Sequence, residues 1–287
     1  MSIELSQREE IITQIDELDG LPAAASELVN KINDPEISIQ DLVASIELDA
    51  ALTANVLKWA NSPAFGGIHE IGTIRDAAVR LGLQQMRQLI TASLALPIIS
   101  QAVPGYDLNA GRLLERSTVV AMGSIEIAKF LEIRIPEYTF TAGLLHDVGK
   151  IILGRFVGTA CNMLIEEAQK DGIPFNKAEQ NVLGIDHAEA GALLLSSWNF
   201  PATIVDVVRW HHEPDLYEGD YHTPLDIVHI TELAATCCGL GVGIDGVNYA
   251  PSSMVLHRLN ISQRQFEHCM LILADIGNQT KALFNAA

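Results

Sequence analysis

Apolar residues recur at helical spacing along this whole chain, and that periodicity constrains the fold more than any other feature. Ala25, Leu28, Val29 and Ile32 share one face of a segment that runs to about residue 33. Leu113, Leu114, Val120, Ile127 and Phe130 supply the apolar contacts of another over about 109–132. β-Branched alternation over strand lengths is nearly absent. Punctuation between the helical stretches is equally clear. Ser38, Asp49 and Asp186 stand at helix-start positions, Thr73-x-x-Asp76 approximates a capping box, and Gly82 breaks the segment that follows. Pro22 suits the first turn of a helix, and Pro201 opens another that closes at His211-His212-Glu213-Pro214. Further helices are expected over 6–19, 136–155, 158–171, 177–183, 224–238, 252–258 and 263–284.

With 287 residues, 48% of them hydrophobic, the chain can bury a substantial core. Its net charge of −18 is uneven: residues 1–50 hold twelve acids against Arg8 and Lys31, a net of −10. A polyanion would be repelled by that half, so direct nucleic-acid binding is not expected. Cys161, Cys237, Cys238 and Cys269 form no Cys-x-x-Cys pair, and reduced thiols are the plain reading. No secretory pattern opens the sequence, and no charge-free apolar run of about 18 residues appears. A cytoplasmic protein with no membrane partner is expected.

One stretch carries chemistry. Residues 139–150 read Thr-Phe-Thr-Ala-Gly-Leu-Leu-His-Asp-Val-Gly-Lys, a small and apolar helix ending in the adjacent pair His146-Asp147. A neutral imidazole beside a carboxylate can grip a divalent cation, and the carboxylate can bridge to a second. Gly149 and Lys150 read as a helix-end signal, although Ile151, Ile152 and Leu153 continue the helical pattern. The glycines of residues 239–243 form a turn and not a phosphate loop, since no strand precedes them and no Gly-Lys-Ser follows. His229 and Glu232, three apart on one helix, face the same way and could hydrogen-bond. His211-His212 at a helix end suits the helix dipole without any metal.

The run Gly-Leu-Leu-His-Asp-Val-Gly-Lys resembles the centre of an HD-type phosphohydrolase. Leu21-Pro22, Asp34-Pro35, Ile46-x-x-Asp49-x-x-Leu52-Thr53, Leu57-x-x-Ala60-Asn61-Ser62 and Ala77-x-x-Arg80-Leu81-Gly82 extend the likeness to the HDOD family over about residues 16–213. These are bacterial signalling modules related to the HD phosphohydrolases. Ala50 departs from the family pattern, which has proline there. The resemblance implies an all-α, compact multi-helix HDOD architecture. An N-terminal helical subdomain (1–105) would pack on an HD-like helical subdomain (106–240), followed by a C-terminal helical extension (241–287).

It also implies where an HD metal centre would lie. His146 and Asp147 match the central pair, and His187 matches the next histidine of the related HD-GYP phosphodiesterases. His211 and His212 match their adjacent histidines, and Glu232 falls where the closing aspartate belongs. The first histidine does not survive, because Trp-x-His-Ser becomes Leu114-Glu115-Arg116-Ser117. A guanidinium has no lone pair to donate and does not lose its proton. An ion pair between Arg116 and Asp147 is therefore expected in place of the cation. No cofactor is expected, although a divalent metal would be the cofactor if His146, Asp147, His187, His211, His212 and Glu232 still act together. Two functions stay open. One is a non-catalytic regulatory module with an unidentified signalling-protein partner, a nucleotide or small anionic ligand, or a second copy in a dimer. The other is a metal-dependent phosphohydrolase or cyclic-nucleotide phosphodiesterase, with His146 and Asp147 at its catalytic centre.

Overall fold

The computed structural model describes residues 2–17, 23–62, 64–65 and 70–285. Fourteen α-helices make up the described chain, and no strand occurs among the described residues beyond an isolated bridge between Val103 and Leu108. The first five are α1 (Ser2–Glu17), α2 (Ala23–Asn33), α3 (Ile39–Glu47), α4 (Ala50–Ala60) and α5 (Ile74–Ile99). The side chains of Ser38, Asp49 and Thr73 accept backbone N–H bonds at the starts of α3, α4 and α5, which satisfies donors that a helix N-terminus leaves open. Gly82 interrupts α5 with φ 75° and ψ 174°, and the helix resumes beyond it. The expected turn at Leu21-Pro22 lies outside the described residues.

A 3-10 turn (Pro104–Tyr106) leads into α6 (Arg112–Phe130), α7 (Tyr138–Leu145), α8 (Lys150–Asp171) and α9 (Phe175–Leu183). There follow α10 (His187–Ser197), α11 (Ala202–Trp210), α12 (His222–Cys237), α13 (Ser253–Arg258) and α14 (Gln263–Asn285). Asp186 caps α10 by accepting from the Glu189 N–H. The expected helix over 136–155 is in fact two. α7 ends at Leu145, a tight turn spans residues 146–149, and α8 then runs unbroken through the break expected near 156–157.

That turn is fixed by packing. A Cβ on Gly149 would lie 1.9 Å from the His187 carbonyl oxygen and 2.4 Å from the Gly191 nitrogen. Only glycine lets the start of α8 approach α10 so closely, and the approach brings the His-Asp pair against His187. α7 sits at the centre, touching α5, α6, α11 and α12. Phe140 of α7 is 1% exposed and meets Trp59 and Phe65 edge-on, at 5.3 and 4.8 Å between centroids. Burying such a ring stabilises the fold by roughly 1.5–3 kcal/mol. One contiguous apolar core, from Ile11 to Ile276, joins the N-terminal helices, the His-Asp region and α14. The stretch Tyr138–Lys170 is apolar enough to cross a membrane by composition, but it is broken at residues 146–149 and more than half of its most apolar window is buried.

Candidate functional site

Asp147 is the hub of a buried polar pocket. It is fully buried at the turn between α7 and α8, and four elements point charged or imidazole groups at it. Lys150 Nζ lies 2.6 Å from Asp147 Oδ2. Arg116 Nε of α6 lies 3.4 Å from the same oxygen. His146 Nε2 is 3.2 Å from Oδ2, while His187 Nε2 and His211 Nε2 approach Oδ1 at 3.4 and 4.0 Å.

Arg116 does not grip Asp147 with a two-pronged fork. Its Nη1 donates to the Leu240 carbonyl (3.0 Å), and its Nη2 donates to Thr236 Oγ1 (2.8 Å) and reaches Glu232 Oε1 (3.4 Å). The guanidinium is shared between α12, the turn after it and Asp147. Lys150, the last residue of the Gly-Leu-Leu-His-Asp-Val-Gly-Lys run, is the nearer cation. Its side chain, 1% exposed, turns back into the pocket and also contacts Asp245 Oδ2 at 2.6 Å. Asp245 comes from the connection between α12 and α13, about 95 residues downstream, where no motif marks it.

The other candidates converge as well. Glu232 Oε2 lies 3.8 Å from His211 Nε2 and 3.6 Å from His212 Nδ1. His187 Nε2 and His212 Nε2 are 2.8 Å apart. Glu179 of α9 accepts from both the backbone N–H and Nδ1 of His187, at 2.9 and 2.7 Å, and also accepts from the Tyr106 hydroxyl. Tyr249 lies flat against His212, 4.8 Å between centroids and 19° between planes. His229 does not pair with Glu232. Its Nδ1 donates to the His211 carbonyl at 2.7 Å, and its Nε2 accepts from the Ser252 N–H at 3.3 Å.

Burial pushes the Asp147 carboxyl up, but His146 and Lys150 outweigh that and hold it well below the usual carboxylate range. Burial acts to lower the pKa of Lys150 and Arg116, and the carboxylates around them reverse the direction: Asp147 and Asp245 for Lys150, Asp147 and Glu232 for Arg116. Burial likewise works against a charged His187, yet Glu179 raises its pKa to about 10. For His211 and His212, burial and the neighbouring imidazoles outweigh the nearby Asp147 carboxylate and drive both well below the ordinary histidine value.

Two features bear on a metal, and they point in opposite directions. Asp147, His187, His211 and His212 each offer a ligand atom, and those atoms all lie within 4.8 Å of one another. His146 and His211 each donate Nδ1–H to a backbone carbonyl (Gly143 and Val208, both 2.7 Å), which turns Nε2 into the pocket. Those two Nε2 atoms and Asp147 Oδ1 are buried without a hydrogen-bond partner. Against this, Lys150 and Arg116 already place two cations on one Asp147 oxygen. Beside the pocket, His212, Glu232, Tyr249 and Lys177 help line a cavity of about 340 Å³ that opens to solvent.

An all-helical chain centred on a His-Asp turn, with further histidines gathered from α10 and α11, defines a protein of the HD-like class. Residues 18–214 match the HDOD domain model, and the chain belongs to the HDOD family. An HDOD domain protein of unknown function from Geobacter sulfurreducens has the same fold, with 26% identity and a TM-score of 0.71, covering 99% of this chain and 97% of that one. A Shewanella amazonensis SB2B protein, provisionally named a phosphohydrolase, is 28% identical with a TM-score of 0.70, covering 95% and 97%. A curated relative from Treponema pallidum (strain Nichols), named as uncharacterized, is 26% identical over 216 residues. That match covers 70% of this chain and 39% of the relative, so the chain spans about two fifths of that protein's length.

Proposed function

We propose that this chain is a non-catalytic regulatory HDOD module, in which the HD pocket has become a polar core whose positive charge is its own. The observation that carries this reading is the occupancy of Asp147 Oδ2, with Lys150 Nζ at 2.6 Å and Arg116 Nε at 3.4 Å. A divalent ion bound to that carboxylate would sit within a few ångströms of two buried cations. Each such repulsion costs on the order of several kcal/mol even at an effective dielectric near 20. The donor atoms suit a metal and the charges around them do not, so no hydrolytic step is assigned to the pocket. On this reading the module acts through a protein partner, a small anionic ligand or a second copy of itself, in the cytoplasm.

A second reading, a metal-dependent phosphohydrolase, is favoured by one feature. The Nε2 atoms of His146 and His211 face the pocket without a hydrogen-bond partner. Elemental analysis of protein purified without chelator decides between the two. The regulatory reading expects well below one equivalent of iron, manganese, nickel or zinc per chain. One or more equivalents, lost together on Asp147→Ala, would overturn it.

A further inference from the structure

Asp245 enters the pocket from a segment with no regular structure, residues 239–252, which lies beyond the part of the chain matched by the family model. We propose that this connection between α12 and α13 is a removable plug. Its Asp245 covers the anion-binding face of Lys150, and withdrawal of the plug opens that face to the carboxylate or phosphate group of an external ligand. The inference rests on the reading that Lys150 and Arg116, and no metal, supply the positive charge of the pocket.

The segment behaves as an inserted group and not as a wall. Its inner side carries Asp245, 6% exposed, while Val247, Asn248 and Ala250 on its outer side are exposed. Between them Tyr249 lays its ring on His212, and its hydroxyl accepts from the Asn176 N–H at 3.2 Å. One strap thus delivers an anionic oxygen to a buried ammonium and a flat ring to a buried imidazole. A ligand that combined a single anionic group with a planar ring would satisfy the same two partners.

Glycines let the strap press this close. Gly241 has φ +65°, and a Cβ there would meet Arg116 Cβ at 2.8 Å; a Cβ on Gly243 would lie 2.1 Å from the Tyr106 carbonyl oxygen. The main-chain bond from Ile244 N–H to that same oxygen, 3.2 Å, fastens the strap beside Asp245. Polar links of this kind, with those from Asn248 to the Ala168 and Ile173 carbonyls, can be replaced by water when the strap lifts, and the apolar hold comes from Leu240, Ile244 and Tyr249 against the core. Withdrawal would still leave Lys150 paired with Asp147 at 2.6 Å. Lys150 would then lack the second of its two carboxylate partners, whose place an incoming monoanion takes.

Hydrogen exchange of the wild-type chain is the first test. The Ile244 amide should exchange at least about 100-fold faster than buried amides of α12, because the strap opens locally while the core stays folded. Equal protection would overturn the proposal. The second test measures binding of inorganic phosphate and of acetate, at matched ionic strength, to the wild type, Gly243→Ala and Asp245→Asn. Gly243→Ala lifts the strap without changing a polar group, and Asp245→Asn removes its charge. If the open state is a minor population of roughly 1–10%, either variant should bind one of the anions about tenfold or more tightly. Preference for phosphate or for acetate identifies the anionic group of the ligand, and the gain should vanish when Lys150→Gln is added. Folded variants that bind neither anion better than the wild type, or whose gain survives Lys150→Gln, would overturn the plug. If the variants do not fold, the exchange result alone decides. Metal content measured on the same samples separates failure of the plug from failure of the metal-free reading.

Discussion

Lys150→Met removes an ammonium from the centre of the pocket and keeps most of its aliphatic stem. Two carboxylates lie 2.6 Å from that ammonium, Asp147 and Asp245. At an effective dielectric near 20, each contact is worth about 6 kcal/mol before desolvation, against about 5 kcal/mol for Arg116 at 3.4 Å. The desolvation of three buried charges offsets much of that sum, so the net worth of the cluster is small. Removal of one member is different, because it strands the others. Asp147 would keep Arg116, whereas Asp245 has no other cation within ion-pair distance among the described residues. Truncating one partner of a buried pair costs about 3–5 kcal/mol, and with Asp245 stranded while Asp147 keeps Arg116, Lys150→Met falls within that range. For a domain stable by about 5–15 kcal/mol that is a large fraction. Urea unfolding followed by far-ultraviolet circular dichroism, in the presence of chelator, measures it. Adding Asp245→Asn to Lys150→Met should recover about 1–2 kcal/mol, although Asp245→Asn alone destabilises. A cost below about 1 kcal/mol for Lys150→Met, or an Asp245→Asn effect of the same sign and size in both backgrounds, would refute the reasoning.

Three other outcomes follow from the structure. Arg116→His with Glu232→Asp should raise metal affinity together by more than the product of the single effects, since both act on one set of donors around Asp147; isothermal titration with manganese or zinc checks this, and strict additivity would count against convergence. Gly149→Ala should destabilise by about 3 kcal/mol or more, because its Cβ would strike the His187 carbonyl at 1.9 Å, and an unfolding midpoint within error of the wild type would contradict that contact. Under native conditions Cys237, which is exposed, should react with a thiol reagent within minutes, whereas Cys269, buried and with its thiol pushed up to about 11, should react only on unfolding; equal rates would show that α14 does not stay packed.

The helices were legible because their signals are local. Ser38, Asp49, Thr73 and Asp186 each accept a backbone N–H within three residues, so chain neighbours alone reveal them. Gly82 announced its break for the same reason. The split at residues 146–149 was half-visible. Gly149 and Lys150 signalled an end, yet the apolar residues on both sides carried the periodicity across it. What fixes the break is the clearance between α8 and α10, which periodicity cannot register. In the pocket, the histidines and Asp147 could be placed from a family pattern, and so could Arg116. Lys150 lies in the same motif, but nothing local says that its side chain turns inward. Asp245, Glu179, Tyr106 and Tyr249 reach the site from three distant segments. The only trace of that approach was the cluster of glycines at 239, 241 and 243, which permits contact with Arg116 and Tyr106 without naming either.

The long reach of Asp245 has a consequence for the order in which the molecule assembles. Asp147 and Lys150 are three residues apart and meet as soon as the first turn of α8 forms. Closing the contact with Asp245 requires a loop of about 95 residues, and non-local contacts of that span form late on a folding pathway. As the chain leaves the ribosome, α5, α6 and α11, three of the four helices that α7 touches, precede Asp245 by more than 30 residues. Until residues 239–252 dock, Lys150 has only the nearer in sequence of its two carboxylate partners, Asp147.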